Sequence, residues 1–467
     1  MDEEFEYNDA EDLRFSVERY EEMVRNHEQY FFDAQAFEGI IDYFIEKSDP
    51  IKALQVVEYA ISQHPYAAVF LIKQAQLLVV TDQTQTALSI LKRAESLEPS
   101  NADIYIIRGN IYDKLELYDQ SIGEYESALV YAEETDEIYL HIAYAMENKG
   151  DYIKAVEYLK RCLEENKDNQ DALYEIAFCF DILDMPEESI TFYKQFIDND
   201  PYNYAAWYNL GNAYSKLELF EKAIEAYDYT IIIKDNFASS YFNKGNALAN
   251  LERYAEAIAA YKQTFEYEQP NAEVYCSIGE CYEKLELMDE ARSYYKKAVK
   301  MDPAMAEAWF GIGVTLDFEE RWYESLHFYN KALSLDQTEP DYWFALGDSH
   351  YKLGNIDEAV KAYEKVVELS PADIEIWLDY SAILYEQNKV DDAIAIISEG
   401  IKINPDAAEL YYRIVAYFFS KGNYADAVAY LELALATDPG KHEILFEYLP
   451  HLQNNKAITD IINRFKL

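Results

Sequence analysis

The residues of this chain best suited to bind a metal or attack a substrate are seven histidines and four cysteines, and their spacing serves neither purpose. His27, His64, His141, His327, His350, His442 and His451 are scattered, with no pair at metal-ligand spacing. Cys162, Cys179, Cys276 and Cys281 form no Cys-x-x-Cys pair and no disulfide framework. Cys276 and Cys281 lie five residues apart, which on a helix turns them to different faces. Gly311-Ile312-Gly313 is a weak phosphate-loop signal, because the surrounding apolar spacing predicts a helix and no strand leads into it. The expectation is a chain with no catalytic residues, no cofactor and no metal.

Charge offers more. Asp and Glu number 88 against 40 Lys and Arg, for a net charge of −48. Such a surface repels phosphate backbones, so no nucleic acid is expected as a partner; it attracts basic groups over a range of about 8 Å at physiological salt. Solubility alone would also account for it. Half the residues are apolar, Tyr is abundant at 44, and Gly and Pro are scarce at 14 and 12, which suits a folded chain of helices with few loops. The opening Met1-Asp2-Glu3-Glu4-Phe5-Glu6-Tyr7 has neither the basic nor the apolar region of a secretion signal. Apolar runs such as Ile414 to Phe419 fall far short of a membrane span, so no membrane insertion is expected. With unpaired cysteines, a reducing cytoplasm is the simplest location.

The elements that must position any working residue emerge from self-similarity. Trp207-Tyr208-Asn209-Leu210-Gly211-Asn212-Ala213-Tyr214 returns 34 residues later as Tyr241-Phe242-Asn243-Lys244-Gly245-Asn246-Ala247-Leu248. Stepping by 34 reaches Tyr275, Trp309, Trp343, Trp377 and Tyr411 downstream, and Leu173, Tyr139, Tyr105, Leu71 and Phe37 upstream. Twelve frames, starting at residues 34, 68, 102, 136, 170, 204, 238, 272, 306, 340, 374 and 408, therefore tile residues 34–441 without insertion or deletion. Sixteen residues after every anchor stands Ala or Ser, from Ala53 to Ala427. The eighth frame residue is small in ten of the twelve, as at Gly211 and Gly245, with Ile41 and Val415 the exceptions in the first and last frames. Small residues at both places are expected where two helices cross closely.

Apolar residues at three- and four-residue spacing, with Gly150-Asp151, Gly354-Asn355 and Gly422-Asn423 as turn signals, make each frame two helices. Prolines such as Pro65, Pro201 and Pro371 close many frames. Residues 1–33 read as an acidic start that frays, followed by a capping helix with an apolar stripe of Leu13, Val17, Tyr20, Val24 and Phe31. Residues 442–467 read as a truncated final frame, with Pro450 ending one helix and Ile458, Ile461, Ile462 and Phe465 lining the next. The expected fold class is all-α, a helical solenoid.

These residues resemble the tetratricopeptide repeat family, whose 34-residue pattern is Trp, Leu-Gly, Tyr, Ala, Phe or Tyr, Ala and Pro. The resemblance covers about nine-tenths of the chain. It implies an α–α superhelix of about twelve helix-turn-helix repeats whose first helices line a concave groove, with frame positions 2, 5, 6, 9, 12 and 13 facing inward. A bare array of this kind implies a non-enzymatic protein–protein interaction scaffold or adaptor. Family members that grip a C-terminal carboxylate use Lys at the fifth position. Here no fifth residue is Lys or Arg, and only Lys73, His141 and Arg413 are basic at the sixth, so that mode is not expected.

Three rows fill the groove positions. Aromatic residues hold the fifth position at Tyr174, Tyr208, Phe242, Phe310, Phe344 and Tyr412, and Phe178 and Tyr351 extend them. Asn209, Asn212, Asn243 and Asn246 cluster centrally. Acids recur at the second position, as Asp103, Glu137 and Asp171, and at the twelfth, as Asp113, Glu147, Asp181 and Glu283. Rings would bury a partner's apolar anchors, amides would pair with its backbone, and acids would select basic flanks. The second-position acids equally suit the dipole of any first helical turn, and the asparagines match the family's average, so both readings stay open. The rings have no such structural need in a wet groove. The expected partner is a protein or peptide segment, extended or helical, basic with apolar anchors. The expected contacts are Tyr174, Phe178, Tyr208, Asn209, Asn212, Phe242, Asn243, Asn246, Phe310, Phe344 and Tyr351. Self-association, with one copy's end in another's groove, is the alternative.

Overall fold

The computed structural model describes residues 2–465, and side chains for residues 12–465. Among these residues all regular structure is helical. The chain divides into two compact units, Met1–Ile233 and Lys234–Leu467.

In the first unit α1 (Asp2–Asn26) precedes six helix pairs: α2 (Ala34–Glu46) and α3 (Pro50–Gln63), α4 (Ala68–Val80) and α5 (Thr84–Leu97), α6 (Ala102–Lys114) and α7 (Tyr118–Ala128), α8 (Asp136–Asn148) and α9 (Tyr152–Glu165), α10 (Gln170–Ile182) and α11 (Pro186–Asn199), α12 (Tyr204–Lys216) and α13 (Phe220–Ile233). The second unit holds α14 (Ala238–Asn250) and α15 (Tyr254–Thr264), α16 (Ala272–Lys284) and α17 (Met288–Met301), α18 (Ala306–Phe318) and α19 (Trp322–Leu333), α20 (Pro340–Lys352) and α21 (Ile356–Leu369), α22 (Ile374–Glu386) and α23 (Val390–Ile403), α24 (Ala408–Ser420) and α25 (Tyr424–Thr437). It ends with α26 (Glu443–Tyr448) and α27 (Lys456–Phe465). First helices begin every 34 residues from Ala34 to Ala408. No helix among the described residues is long and apolar enough to cross a membrane.

The helix ends follow from local chemistry. Asn169, Asn203 and Asn271 cap first helices, each accepting a backbone N–H three residues on, at 2.8–3.0 Å. Each first helix stops at a residue with positive φ in the fifteenth frame position: Gly150, Gly354 and Gly422, but also Asp82, Glu116, Glu218 and Asn388. The next N–H then reaches back five residues, as Leu219 to the Tyr214 carbonyl at 2.9 Å, which closes the helix end in the Schellman manner. The anchor residue of the frame pins the join between repeats. Trp207, Trp309 and Trp377 donate their indole N–H to the carbonyls of Pro201, Pro303 and Pro371 at 2.9–3.0 Å.

The small positions have distinct causes. Ala53, Ala155, Ala257 and Ala359 are wholly buried where the two helices of a pair approach. At the eighth position the neighbour is a ring rather than a backbone. A Cβ added to Gly211, Gly245 or Gly313 would stand 2.4–2.5 Å from the ring of Tyr227, Tyr261 or Tyr329 on the second helix. Those tyrosines are buried.

One pair departs from the rest. α10 and α11 pack against each other far less than the two helices of any other pair. The twenty-seventh frame residue differs there too. In most other repeats that residue is small and buried, as at Ala94, Ala128, Cys162, Thr230 and Ala298, but in the fifth repeat it is Phe196, half-buried. Its ring lines an open groove beside Leu163 and Phe192 rather than packing between the two helices of the pair.

The ends are capped differently from expectation. The acidic start is helical from Asp2 rather than frayed, while Met1, Lys466 and Leu467 and the side chains before residue 12 lie outside the described residues. Val17, Tyr20 and Met23 are buried on α1, whereas Val24 and Phe31 are exposed, Phe31 lying beyond the helix end. Phe32 takes the buried place instead. At the other end Ile458, Ile461 and Ile462 bury against Leu431 and Leu435, with Phe465 alongside.

Candidate protein-docking surface

Positions 2, 5, 6, 9 and 12 of a first helix share one face, because they are three or four residues apart. Hydrogen bonds run from one first helix to the next along this face. In the first unit the Cys179 thiol meets Glu147 at 3.3 Å and Lys216 meets Asp181 at 2.7 Å. In the second, Ser349 donates to Asp317 at 3.0 Å and Tyr385 to Ser420 at 2.8 Å. Each unit therefore presents its first helices side by side.

In the first unit Tyr174 and Phe178 stand one turn apart on α10, and Phe178 is 48% exposed. Beside them Ala177, Phe180, Asn209, Asn212 and Lys216 line a cavity of about 260 Å³ with Phe178. Tyr208 is half-buried, its ring 6.0 Å from that of Tyr227. In the second unit Phe242, Phe310 and Phe344 repeat that arrangement over Tyr261, Tyr329 and Tyr363 at 5.5–5.8 Å. Phe310 also meets Tyr342 at 4.7 Å. These fifth-position rings each show one side and pack the other. Tyr412 is an exception, fully buried with its hydroxyl on the Asp438 carbonyl. The Tyr351 hydroxyl donates to Glu386.

The asparagines do intramolecular work that sequence reasoning missed. Asn209 is buried and donates to the Leu173 carbonyl at 3.1 Å. Asn212 and Asn246 accept the hydroxyls of Tyr227 and Tyr261 at 2.9 and 2.7 Å, as Asn110 and Asp348 do for Tyr125 and Tyr363. Asn243 is half-buried and engaged in contacts of its own. The signal was legible: wherever the ninth residue is Asn, the twenty-fourth is Tyr.

The acids fall into two sets. At repeat edges they meet lysines, as Asp82 with Lys114 at 2.6 Å and Asp184 with Lys216 at 3.2 Å, and Lys216 also reaches Asp181 on the face at 2.7 Å. On the first-helix faces Asp113, Glu147, Glu175 and Glu283 are half-buried, and burial raises the pKa of each. Burial pushes Glu147 up to about 7, helped by neighbouring Glu175 and opposed by the hydrogen bond from Cys179. One Asp113 carboxylate oxygen is buried without a hydrogen-bond partner. The four cysteines are buried free thiols, and burial pushes Cys162 and Cys281 up to about 12, which makes them poor nucleophiles. Among the described residues no group of three or more His, Cys, Asp or Glu is placed to hold a metal ion.

Family models described as tetratricopeptide repeat match residues 136–169, 204–237, 242–306, 289–340, 312–374, 350–416 and 408–441, together more than half of the chain. A model described as the protein prenyltransferase alpha subunit repeat matches residues 186–217, which span α11 and α12. Similar solved structures include YrrB, described as a TPR protein with an unusual peptide-binding site, at 21% identity and TM-score 0.34, covering 42% of this chain and 97% of that one. The C-terminal part of a TPR repeat-containing protein from Cytophaga hutchinsonii is 18% identical with TM-score 0.43, covering 51% of this chain and 98% of that one. The APC/C hetero-tetramer Cut9–Hcn1 is 14% identical with TM-score 0.38, covering 93% and 90%. No curated protein matches the chain.

Proposed function

The chain belongs to the tetratricopeptide-repeat family, and we propose that it is a non-enzymatic protein-interaction scaffold whose first-helix faces grip a basic segment carrying apolar anchors. The observation that carries this reading is the contrast between neutralised edge acids and crowded face acids. Asp113, Glu147, Glu175 and Glu283 stand half-buried, where burial disfavours their charge. A lysine or arginine from a partner would relieve that cost and supply the donor that Asp113 lacks.

Tyr174 and Phe178 supply the apolar side in the first unit, and Phe242, Phe310 and Phe344 in the second; Tyr208 and Tyr351 flank them. Asn212 and Asn246 contribute by fixing the tyrosines beneath these rings, and Asn209 by tying its helix to the Leu173 carbonyl. Unpaired, buried cysteines suit a reducing compartment such as the cytoplasm.

A synthetic peptide of about ten residues with Lys or Arg between Leu and Phe anchors tests the reading by fluorescence anisotropy with the full chain. Tyr174→Ala with Phe178→Ala should weaken binding about tenfold or more while leaving the helical circular dichroism unchanged. Binding should also fall as salt rises. Equal affinity for a peptide with the same anchors and Glu in place of the bases would refute the proposal.

A further inference from the structure

The fifth repeat carries another surface, on its second-helix side. Where α11 packs little against α10, a groove of about 580 Å³ lies open between α9 and α11. Its floor is apolar, made by buried Leu163 and half-buried Phe192 and Phe196. Its walls differ in charge. Lys160 on α9 and Lys167 in the following turn form one side, with Glu164 between them, and Glu187 and Glu188 open the other side at the start of α11. The Lys160 ammonium is poised over the floor, 5.6 Å from the Phe192 ring centre and 5.7 Å from that of Phe180.

We infer that this groove docks an amphipathic helix from a partner protein, with acids on the flank that meets Lys160 and Lys167 and bases on the flank that meets Glu187 and Glu188. The volume has room for about three large side chains, the i, i+3/i+4 and i+7 anchors of one helical face. Both walls are helices with their backbone groups already bonded, so an extended strand would find no edge to pair with. The opposed charges then fix the direction in which the helix lies. In other repeats the twenty-seventh residue, such as Ala94, Ala128 or Ala298, is small and sealed between its helices. Phe196 presents its ring to the groove instead.

The test uses the full chain and two synthetic helical peptides of about 18 residues, both with leucines at i, i+3/i+4 and i+7. One carries Glu on the first flank and Lys on the second; the other has the flanks exchanged. Fluorescence anisotropy should show the first binding at least about tenfold more tightly. Phe196→Ala, which removes part of the apolar floor, should weaken that binding at least about tenfold, and Thr191→Arg, an exposed change on the groove wall, should abolish it. Lys160→Glu with Lys167→Glu and Glu187→Lys with Glu188→Lys should reverse the preference between the peptides. Tyr174→Ala with Phe178→Ala should leave it intact, which separates this groove from the first-helix face. Absence of binding, equal binding of both peptides, or binding indifferent to Thr191→Arg would overturn the inference. So would a concentration-dependent dimer that Thr191→Arg dissolves, since the occupant would then be a second copy of this chain.

Discussion

A methyl group added at Gly109 and one added at Gly123 should shift stability in opposite directions within a single repeat. At Gly109 the new Cβ would stand 2.4 Å from the Tyr125 ring, and that ring is buried and cannot swing aside. Overpacking of this kind costs about 1–3 kcal/mol. At Gly123, inside α7, nothing lies within 4 Å, so Gly123→Ala removes only the flexibility of glycine in a helix and should stabilise by about 0.5–1 kcal/mol. Thermal melting of the two variants checks this; a destabilising Gly123→Ala or a neutral Gly109→Ala would mean that the ring–glycine contact is not what sets residue size. At this scale the sequence reading located the small positions correctly but attributed them all to helix crossing. The asparagines of the ninth position were harder to place, because an amide pattern looks the same whether it faces a peptide or a tyrosine hydroxyl. The partner, Tyr125, Tyr227 or Tyr261, lies fifteen residues away on another helix.

At the level of elements, the helices were legible almost to their ends, because apolar spacing, caps and a constant 34-residue step all agree. The turns were only partly legible. Gly150, Gly354 and Gly422 announce a left-handed residue, yet Asp82, Glu116, Glu218 and Glu286 adopt the same positive φ without glycine's help. Their neighbours impose it, since the carbonyls of the last helical turn are satisfied only if the chain reverses there. A left-handed non-glycine residue costs about 1–2 kcal/mol. Glycine would remove that cost and add back some entropy of the unfolded chain, so Glu116→Gly and Glu218→Gly should each stabilise by about 0.5–1 kcal/mol. Gly150→Ala should lose about as much. Urea titration followed by circular dichroism measures both, and a fall in stability on Glu218→Gly would show that the Glu side chain, rather than the turn, holds that helix end. The opening of the fifth repeat was also legible in principle: Phe196 stands where the repeat pattern has Ala. That its ring lines a groove beside α9 is visible only in the packed structure.

For the whole molecule the dominant quantity is a charge of −48. The division into units at Ile233 and Lys234 falls inside the frame 204–237, where the repeat pattern continues unchanged, so no residue type announces it. Charge is different, since it is read directly from composition and acts on every repeat at once. Two effects of added salt then compete. Screening weakens the lysine–aspartate pairs at the repeat edges, such as Lys114 with Asp82 and Lys216 with Asp184. Those pairs are exposed, and each is worth only about 0–1 kcal/mol. Screening also relieves repulsion among 88 acids opposed by 40 bases, and that repulsion opposes compact stacking along the chain. The excess of acids is larger than the number of pairs that screening can weaken, so the melting temperature should rise as potassium chloride increases from about 0.01 M to about 0.5 M. Chloride is the informative anion here, because sulfate would stabilise by exclusion from the surface whatever the protein's charge. A melting temperature that falls over that range would mean that the edge pairs outweigh the repulsion, and that the face acids are already balanced by cations within their own unit.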